Sequence, residues 1–195
     1  MPAYDPQTAL IVVDIQNDFA HPEGSLYVHG AEQVVANANQ AIVEAARAGA
    51  LIAYTQDWHP PDTPHFEKDG GIWPVHCVGE TWGAQFHDDL TVDAGHVVRK
   101  GVDGYDGYSG FTTRDPKSGD QHATELEDIL LEAGIERCVI LGLATDYCVK
   151  ETVLDACRLG FEVLVPRDCV AAVNVQDGDG DAALSAMAES GALIE

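Results

Sequence analysis

Basic side chains are scarce in this sequence. Of 195 residues, 10 are Lys or Arg against 33 Asp or Glu, a formal net charge of −23. A surface that acidic repels polyanions, which argues against nucleic acid or an anionic membrane as a partner. There is no run of 18 apolar residues, so no transmembrane helix is expected. The opening residues, Met1 to Pro6, lack the basic and apolar segments of an export signal. Cysteine is sparse as well. Five residues, an odd number, are spread from Cys77 to Cys169 and do not read as a disulfide framework, so a reducing cytoplasm is the expected setting. Lysine is the rarest charged residue: Lys68, Lys100, Lys117 and Lys150 are the whole set. Any lysine placed away from a solvated face therefore draws notice. What is present suffices for a folded protein. At 46% hydrophobic residues the chain can build a core, and residues 1–195 are expected to form one domain.

The hydrophobic pattern alternates between strand and helix. Thr8-Ala9-Leu10-Ile11-Val12-Val13 is a continuous apolar run, as expected of a strand covered on both faces. A helix follows with Val34, Val35, Ala38, Ile42 and Ala45 on one side and Gly49 as its stop. Leu51–Thr55 is a second strand and His96–Arg99 a third. Thr124 and Glu127 have the spacing of a capping box, opening a helix with Leu126, Ile129, Leu130 and Ala133 that stops at Gly134. Cys138–Leu141 is a fourth strand. A helix carrying Val149, Val153, Ala156 and Cys157 leads to a fifth strand at Phe161–Val165. A short helix over 182–188 and a last strand near Leu193 close the chain. Such alternation predicts a three-layer α/β/α domain with a doubly wound, mostly parallel sheet. Two segments break the pattern. Residues 56–93 hold all three tryptophans and much of the Pro and His, and a loop that long is usually functional. Gly101, Gly104, Gly107 and Gly110 mark a tight loop after the third strand.

In doubly wound sheets ligands bind beyond the carboxyl ends of the strands. Asp14 follows the first strand, Asp57 the second and Lys100 the third. Gly142-Leu143-Ala144-Thr145-Asp146-Tyr147-Cys148 follows the fourth, with Cys148 in the first turn of the next helix. A carboxylate after a strand is commonly a turn residue, and a lone cysteine is commonly a small buried hydrophobe. Four such groups at successive strand ends carry more weight than any one. A cysteine at a helix start gains thiolate character from the dipole and from a nearby ammonium. Asp14 can take the thiol proton and return it to a leaving group. Lys100 can stabilise both, and backbone N–H groups from Ala144 to Cys148 can form an oxyanion hole. That chemistry is acyl transfer through a thioester.

The long loop adds metal-ligand chemistry. Asp57 and His59 lie two residues apart, and His65 and His76 follow. One carboxylate with two or three imidazoles suits a first-row divalent metal ion such as Zn, Fe or Mn. The other histidines, His21, His29, His87, His96 and His122, read as surface or loop residues. Cys138 and Cys157 read as core, and Cys77 is set aside as a ligand. Two weaker patterns fail. Asp177-Gly178-Asp179-Gly180-Asp181 opens like a calcium loop, but Ala182 and Ala188 stand where glycine and glutamate are required. Gly178, Gly180 and Ala183 fit a dinucleotide fingerprint, yet no strand directly precedes them.

Taken together, Val13-Asp14-Ile15-Gln16-Asn17-Asp18-Phe19, Asp57-Trp58-His59-Pro60, Trp73-Pro74-Val75-His76-Cys77, Lys100-Gly101, Tyr108-Ser109-Gly110-Phe111 and Ala144-Thr145-Asp146-Tyr147-Cys148-Val149 resemble the nicotinamidases (pyrazinamidases) of the isochorismatase-like cysteine hydrolases. The resemblance spans nearly the whole chain. It implies a triad of Asp14, Lys100 and Cys148, an oxyanion hole at Ala144 and Cys148, and a cis peptide at Leu143–Ala144. It also implies metal ligation by Asp57, His59 and His76, with His65 as a fourth ligand found in some members. Phe19 and Trp73 would sandwich a pyridine ring, with Tyr108 nearby. The implied activity is hydrolysis of nicotinamide to nicotinate and ammonia, with no organic cofactor and with a small-molecule substrate as partner. A homo-oligomer is compatible with the resemblance, since members differ.

Three rivals are weighed against it, of which an enol-ether hydrolase (a true isochorismatase) is disfavoured by Cys148, since those relatives often lack the cysteine. Amide hydrolases of the same superfamily that act on carbamoyl or ureido groups share the cysteine set but resemble this chain less around Asp57, His59 and His76. A non-catalytic binding protein on the same fold has no need of all three triad groups. The acidic excess does not serve a neutral amide; it reads as a solvated surface suited to high salt.

Overall fold

The computed structural model describes residues 4–92 and 95–195. Met1–Ala3 and Asp93–Ala94 lie outside the described residues, and with them part of the N-terminal reading and the last residue of the long loop.

The expected alternation is present. Strands β1 (Thr8–Val13), β2 (Leu51–Asp57) and β3 (His96–Lys100) are followed by a two-stranded hairpin, β4 (Thr112–Arg114) and β5 (Gln121–Ala123). Then come β6 (Arg137–Leu143), β7 (Glu162–Val165), β8 (Val170–Ala171) and β9 (Leu193–Ile194). Helices are α1 (Asn17–Ala20), α2 (Ala31–Ala48), α3 (Leu126–Glu132), α4 (Lys150–Arg158) and α5 (Asp179–Glu189). The main sheet runs β3-β2-β1-β6-β7-β9, with β8 also on β6, and all its pairings are parallel.

β1 is central and fully buried, which explains its unbroken apolar run. Its side chains alternate between two cores. Leu10 and Val12 face α2 through Val34, Val35, Ala38 and Ile42. Ala9, Ile11 and Val13 face α3, α4 and α5 through Leu126, Leu130, Val153 and Met187. The molecule is thus three layers, α/β/α, as expected. α2 ends where glycine permits it: Gly49 adopts φ +74 and its N–H caps the Ala45 and Ala46 carbonyls.

The structure departs from the sequence reading in places. α3 begins at Leu126 with Glu125 at the cap position and no side-chain cap, so the capping box is not formed. Thr124 Oγ1 instead accepts the Leu126 N–H at 3.2 Å and donates to the Gly110 carbonyl at 2.7 Å, tying the helix start to the glycine-rich loop. The β4–β5 hairpin and the short α1 turn carry too few residues to show a period. Cys157 is only partly buried, and His87 sits in a loop but is buried. Among the described residues, no helix is long and apolar enough to cross a membrane.

Candidate active site

Chain order reverses at β1. The chain steps outward through β2 and β3, then returns to place β6 on the other side of β1. Four neighbouring strands therefore end together, carrying Lys100, Asp57, Asp14 and, just past β6, Cys148. The register makes this direct, because Asp57 and Lys100 are paired positions in β2 and β3.

Lys100 is fully buried. Its Nζ lies 2.8 Å from Asp14 Oδ2 and 3.5 Å from Cys148 Sγ, and it donates to Asp57 Oδ1. Burial works against its ammonium, but Asp14, Asp57 and Cys148 outweigh that and hold its pKa well above the usual lysine value. Asp14 is also fully buried and has φ +48. Thr55 Oγ1 donates to Asp14 Oδ1 at 2.6 Å, and Gln16 braces Asp57 by accepting its N–H at 2.8 Å and donating to its carbonyl at 2.7 Å. Burial raises the Asp14 pKa, with the Lys100 charge opposing and Asp57 adding to the rise. Asp57 behaves oppositely: burial works against its ionisation, but Lys100 and then His59 hold its carboxyl far below the usual range.

Cys148 corrects one expectation. It does not begin an α-helix; it sits in a single π-helical turn, Thr145–Val149, closed by the Val149 N–H reaching the Ala144 carbonyl at 3.1 Å. α4 starts only at Lys150. Nor is its thiol acidified. Burial pushes its pKa well above the usual value, Lys100 opposes, and Asp14 and Asp57 reinforce the rise. Burial therefore favours the thiol form of Cys148. The Leu143–Ala144 peptide is cis, as the resemblance implies.

The long loop folds over these groups. Asp18, from α1, accepts the Cys77 N–H at 2.7 Å and the Ser25 N–H at 3.1 Å, and His59 is held by its N–H to the Cys77 carbonyl at 2.9 Å. His59, His65 and His76 each bring a ring nitrogen within 4.8 Å of the others. Asp57 stands between the two clusters, its Oδ1 on Lys100 and its Oδ2 3.8 Å from His59 Nε2. Among the described residues, neither buried ring nitrogen of His59 has a hydrogen-bond partner, a costly state unless something binds there. His76 Nδ1 donates to the Pro74 carbonyl at 2.7 Å, and His65 Nδ1 lies 2.8 Å from Asp106 Oδ1. Each leaves Nε2 for another partner. Burial lowers the His76 pKa to about 4 despite Asp57, so the ring is neutral and able to ligate. The donor set thus fits a divalent transition metal ion. Gly101 guards it: a Cβ there would lie 2.7 Å from His59 Nδ1, and its φ is +81. Cys77 is not a member; its Sγ points to the Gly83 carbonyl at 3.9 Å.

Above both clusters lies a pocket lined by Phe19, Trp73, Tyr108, His76, Ala144 and Cys148 among others. The Trp73 indole N–H donates to Tyr108 Oη at 2.9 Å. Tyr147, which packs on Trp73 at 4.9 Å between ring centroids, and Leu26, Val28 and Val173 also line it. Those four, with Thr55, Gln16 and Asp106, had no assigned place in the sequence reading. Tyr147 was in view as a neighbour of Cys148; nothing in the spacing marks the others.

A buried cysteine, lysine and carboxylate pair at the switch point of a parallel sheet define a hydrolase of α/β type, and the isochorismatase domain matches residues 8–194. The chain belongs to the isochorismatase family. It is similar to the nicotinamidase of Escherichia coli (strain K12), at 36% identity over 97% of this chain and 94% of that one. Among solved structures, the pyrazinamidase of Pyrococcus horikoshii in complex with zinc has a TM-score of 0.86 and 40% identity, covering 97% of this chain and 99% of the other. PnC1 from L. infantum in complex with nicotinate has a TM-score of 0.89 and 33% identity, covering 100% and 95%.

Proposed function

We propose that this chain hydrolyses nicotinamide to nicotinate and ammonia, and pyrazinamide in the same way, through a thioester on Cys148. The observation that carries this reading is one buried ammonium, Lys100, shared by Asp14, Asp57 and Cys148 beneath an aromatic pocket. The relatives' names and the zinc and nicotinate in the solved neighbours support the choice of substrate and the need for a metal ion.

The aromatic ring enters between Phe19 and Trp73, with Tyr108 beside it. Cys148 Sγ attacks the carboxamide carbon as its proton passes to Asp14, whose raised pKa makes it a competent base. The oxyanion is received by the backbone N–H groups of Ala144 and Cys148. Lys100 stays charged and balances the negative charge moving between sulfur and Asp14. Collapse returns the proton to the departing amine, giving ammonia and a nicotinoyl thioester. Asp14 then deprotonates water, which attacks the thioester and restores the thiol. Asp57, His59, His76 and His65 would hold one divalent ion, Zn, Fe or Mn, which when bound would supply Lewis acidity. No organic cofactor is assigned.

The test is ammonia release from nicotinamide by purified protein before chelation, after it, and after metal restoration. Release lost on chelation and regained with metal is expected. No release from the metal-restored protein overturns the reading.

A further inference from the structure

Asp106 belongs to none of the groups assigned above, yet it is built to face them. Its backbone is clamped to the end of β4: the Asp106 N–H donates to the Arg114 carbonyl at 2.7 Å, and the Arg114 N–H donates back at 2.5 Å. The next residue presses on the same hairpin, since a Cβ at Gly107 would lie 2.8 Å from the Thr112 carbonyl oxygen. The Gly107 N–H donates to Asp106 Oδ1 at 2.8 Å, which fixes the carboxylate. So held, that oxygen lies 2.8 Å from His65 Nδ1.

A carboxylate only accepts, so Nδ1 carries the proton and Nε2 keeps its lone pair. The ring is stacked on His59 at 4.6 Å between centroids and lies 5.2 Å from that of His76. His76 has the same design with a different acceptor, the Pro74 carbonyl. Metal-binding imidazoles are commonly oriented by such an acceptor on the far nitrogen.

We propose that Asp106 is a positioning residue for the metal site: acting through His65, it holds the ring orientation and tautomer that make His65 a fourth protein ligand. The proposal rests on the metal site described under Proposed function. Zinc affinity, read by competition with a chromophoric chelator, tests it on the full chain as wild type, Asp106→Ala, Asp106→Asn, His65→Ala and the His65→Ala/Asp106→Ala double variant. Asp106→Ala is expected to weaken zinc binding about 10- to 100-fold. Asp106→Asn, whose amide oxygen still accepts the Nδ1 proton, is expected to recover most of that loss. In the His65→Ala background the Asp106 change is expected to cost nothing further, because the two act in one chain of contacts. Wild-type affinity in Asp106→Ala overturns the proposal. So does an equal loss with and without His65, which marks a purely structural role. Wild-type affinity in His65→Ala overturns it independently of how the Asp106 variants fold. A wild-type chain that binds no zinc overturns the metal site itself, and this proposal with it.

Discussion

Lys100 is the only lysine of the four that is fully buried, and three acidic or potentially acidic groups converge on it. Removing the proposed nucleophile is expected to end turnover without unfolding the chain: Cys148→Ala should release no ammonia while melting close to wild type. Asp14→Asn keeps the shape but removes the proposed base, and a fall in kcat of about 10²- to 10⁴-fold is expected. A smaller effect would mean that another group carries the proton. The three triad candidates were legible because each is a charged or nucleophilic residue at or just past the end of a strand that the apolar pattern marks. Thr55 and Gln16 were not. Thr55 reads as an ordinary strand residue, and its hydroxyl matters only because Asp14 is folded against it at 2.6 Å.

Short segments position whole loops. Asp18 lies on the single turn α1 and holds both the Ser25 turn and the Cys77 segment. Asp18→Ala strands the buried Cys77 N–H, a cost of about 1–3 kcal/mol. The expected result is a lower Tm and a raised KM, since Phe19 and His76 flank those contacts. An unchanged KM would show that the loop is held by other means. Strands β1, β2 and β6 were readable as short unbroken apolar runs, and α2, α4 and α5 because their buried faces repeat at regular intervals. The β4–β5 hairpin was not, because three-residue strands carry no period and β5 is fully exposed. The π turn was equally hidden, since one extra residue in a turn leaves no mark on composition.

Across the molecule, acidity and buried thiols set the response to solvent. The surface carries a large acidic excess, with Glu80, Asp88, Asp89, Glu132 and Asp177 among its exposed members, so molar salt is expected to raise Tm; an unchanged or lower Tm would count against adaptation to salt. Burial pushes the Cys138 thiol up to about 12, and raises Cys77 and Cys169 as well. Below the unfolded value near 9 both states are protonated. As pH rises from there toward 12, the unfolded chain loses protons that the folded chain keeps, so stability falls, by about 1.4 kcal/mol per pH unit for Cys138 alone. Denaturant midpoints at pH 8 and pH 10.5 under reducing conditions check this.

Local pattern was enough for the layer order, the central buried strand and the row of reactive residues at strand ends, because each depends on residues close together in the chain. Partnership was a different matter. Asp57 was grouped by spacing with the histidines, but it also accepts a hydrogen bond from Lys100, 43 positions away. Asp106 meets His65 only because the hairpin carries it there. The thiol's raised pKa likewise reflects burial beside two carboxylates brought by other strands. Contacts between distant segments are made by the packing of strands and loops, and no periodicity within either segment encodes them.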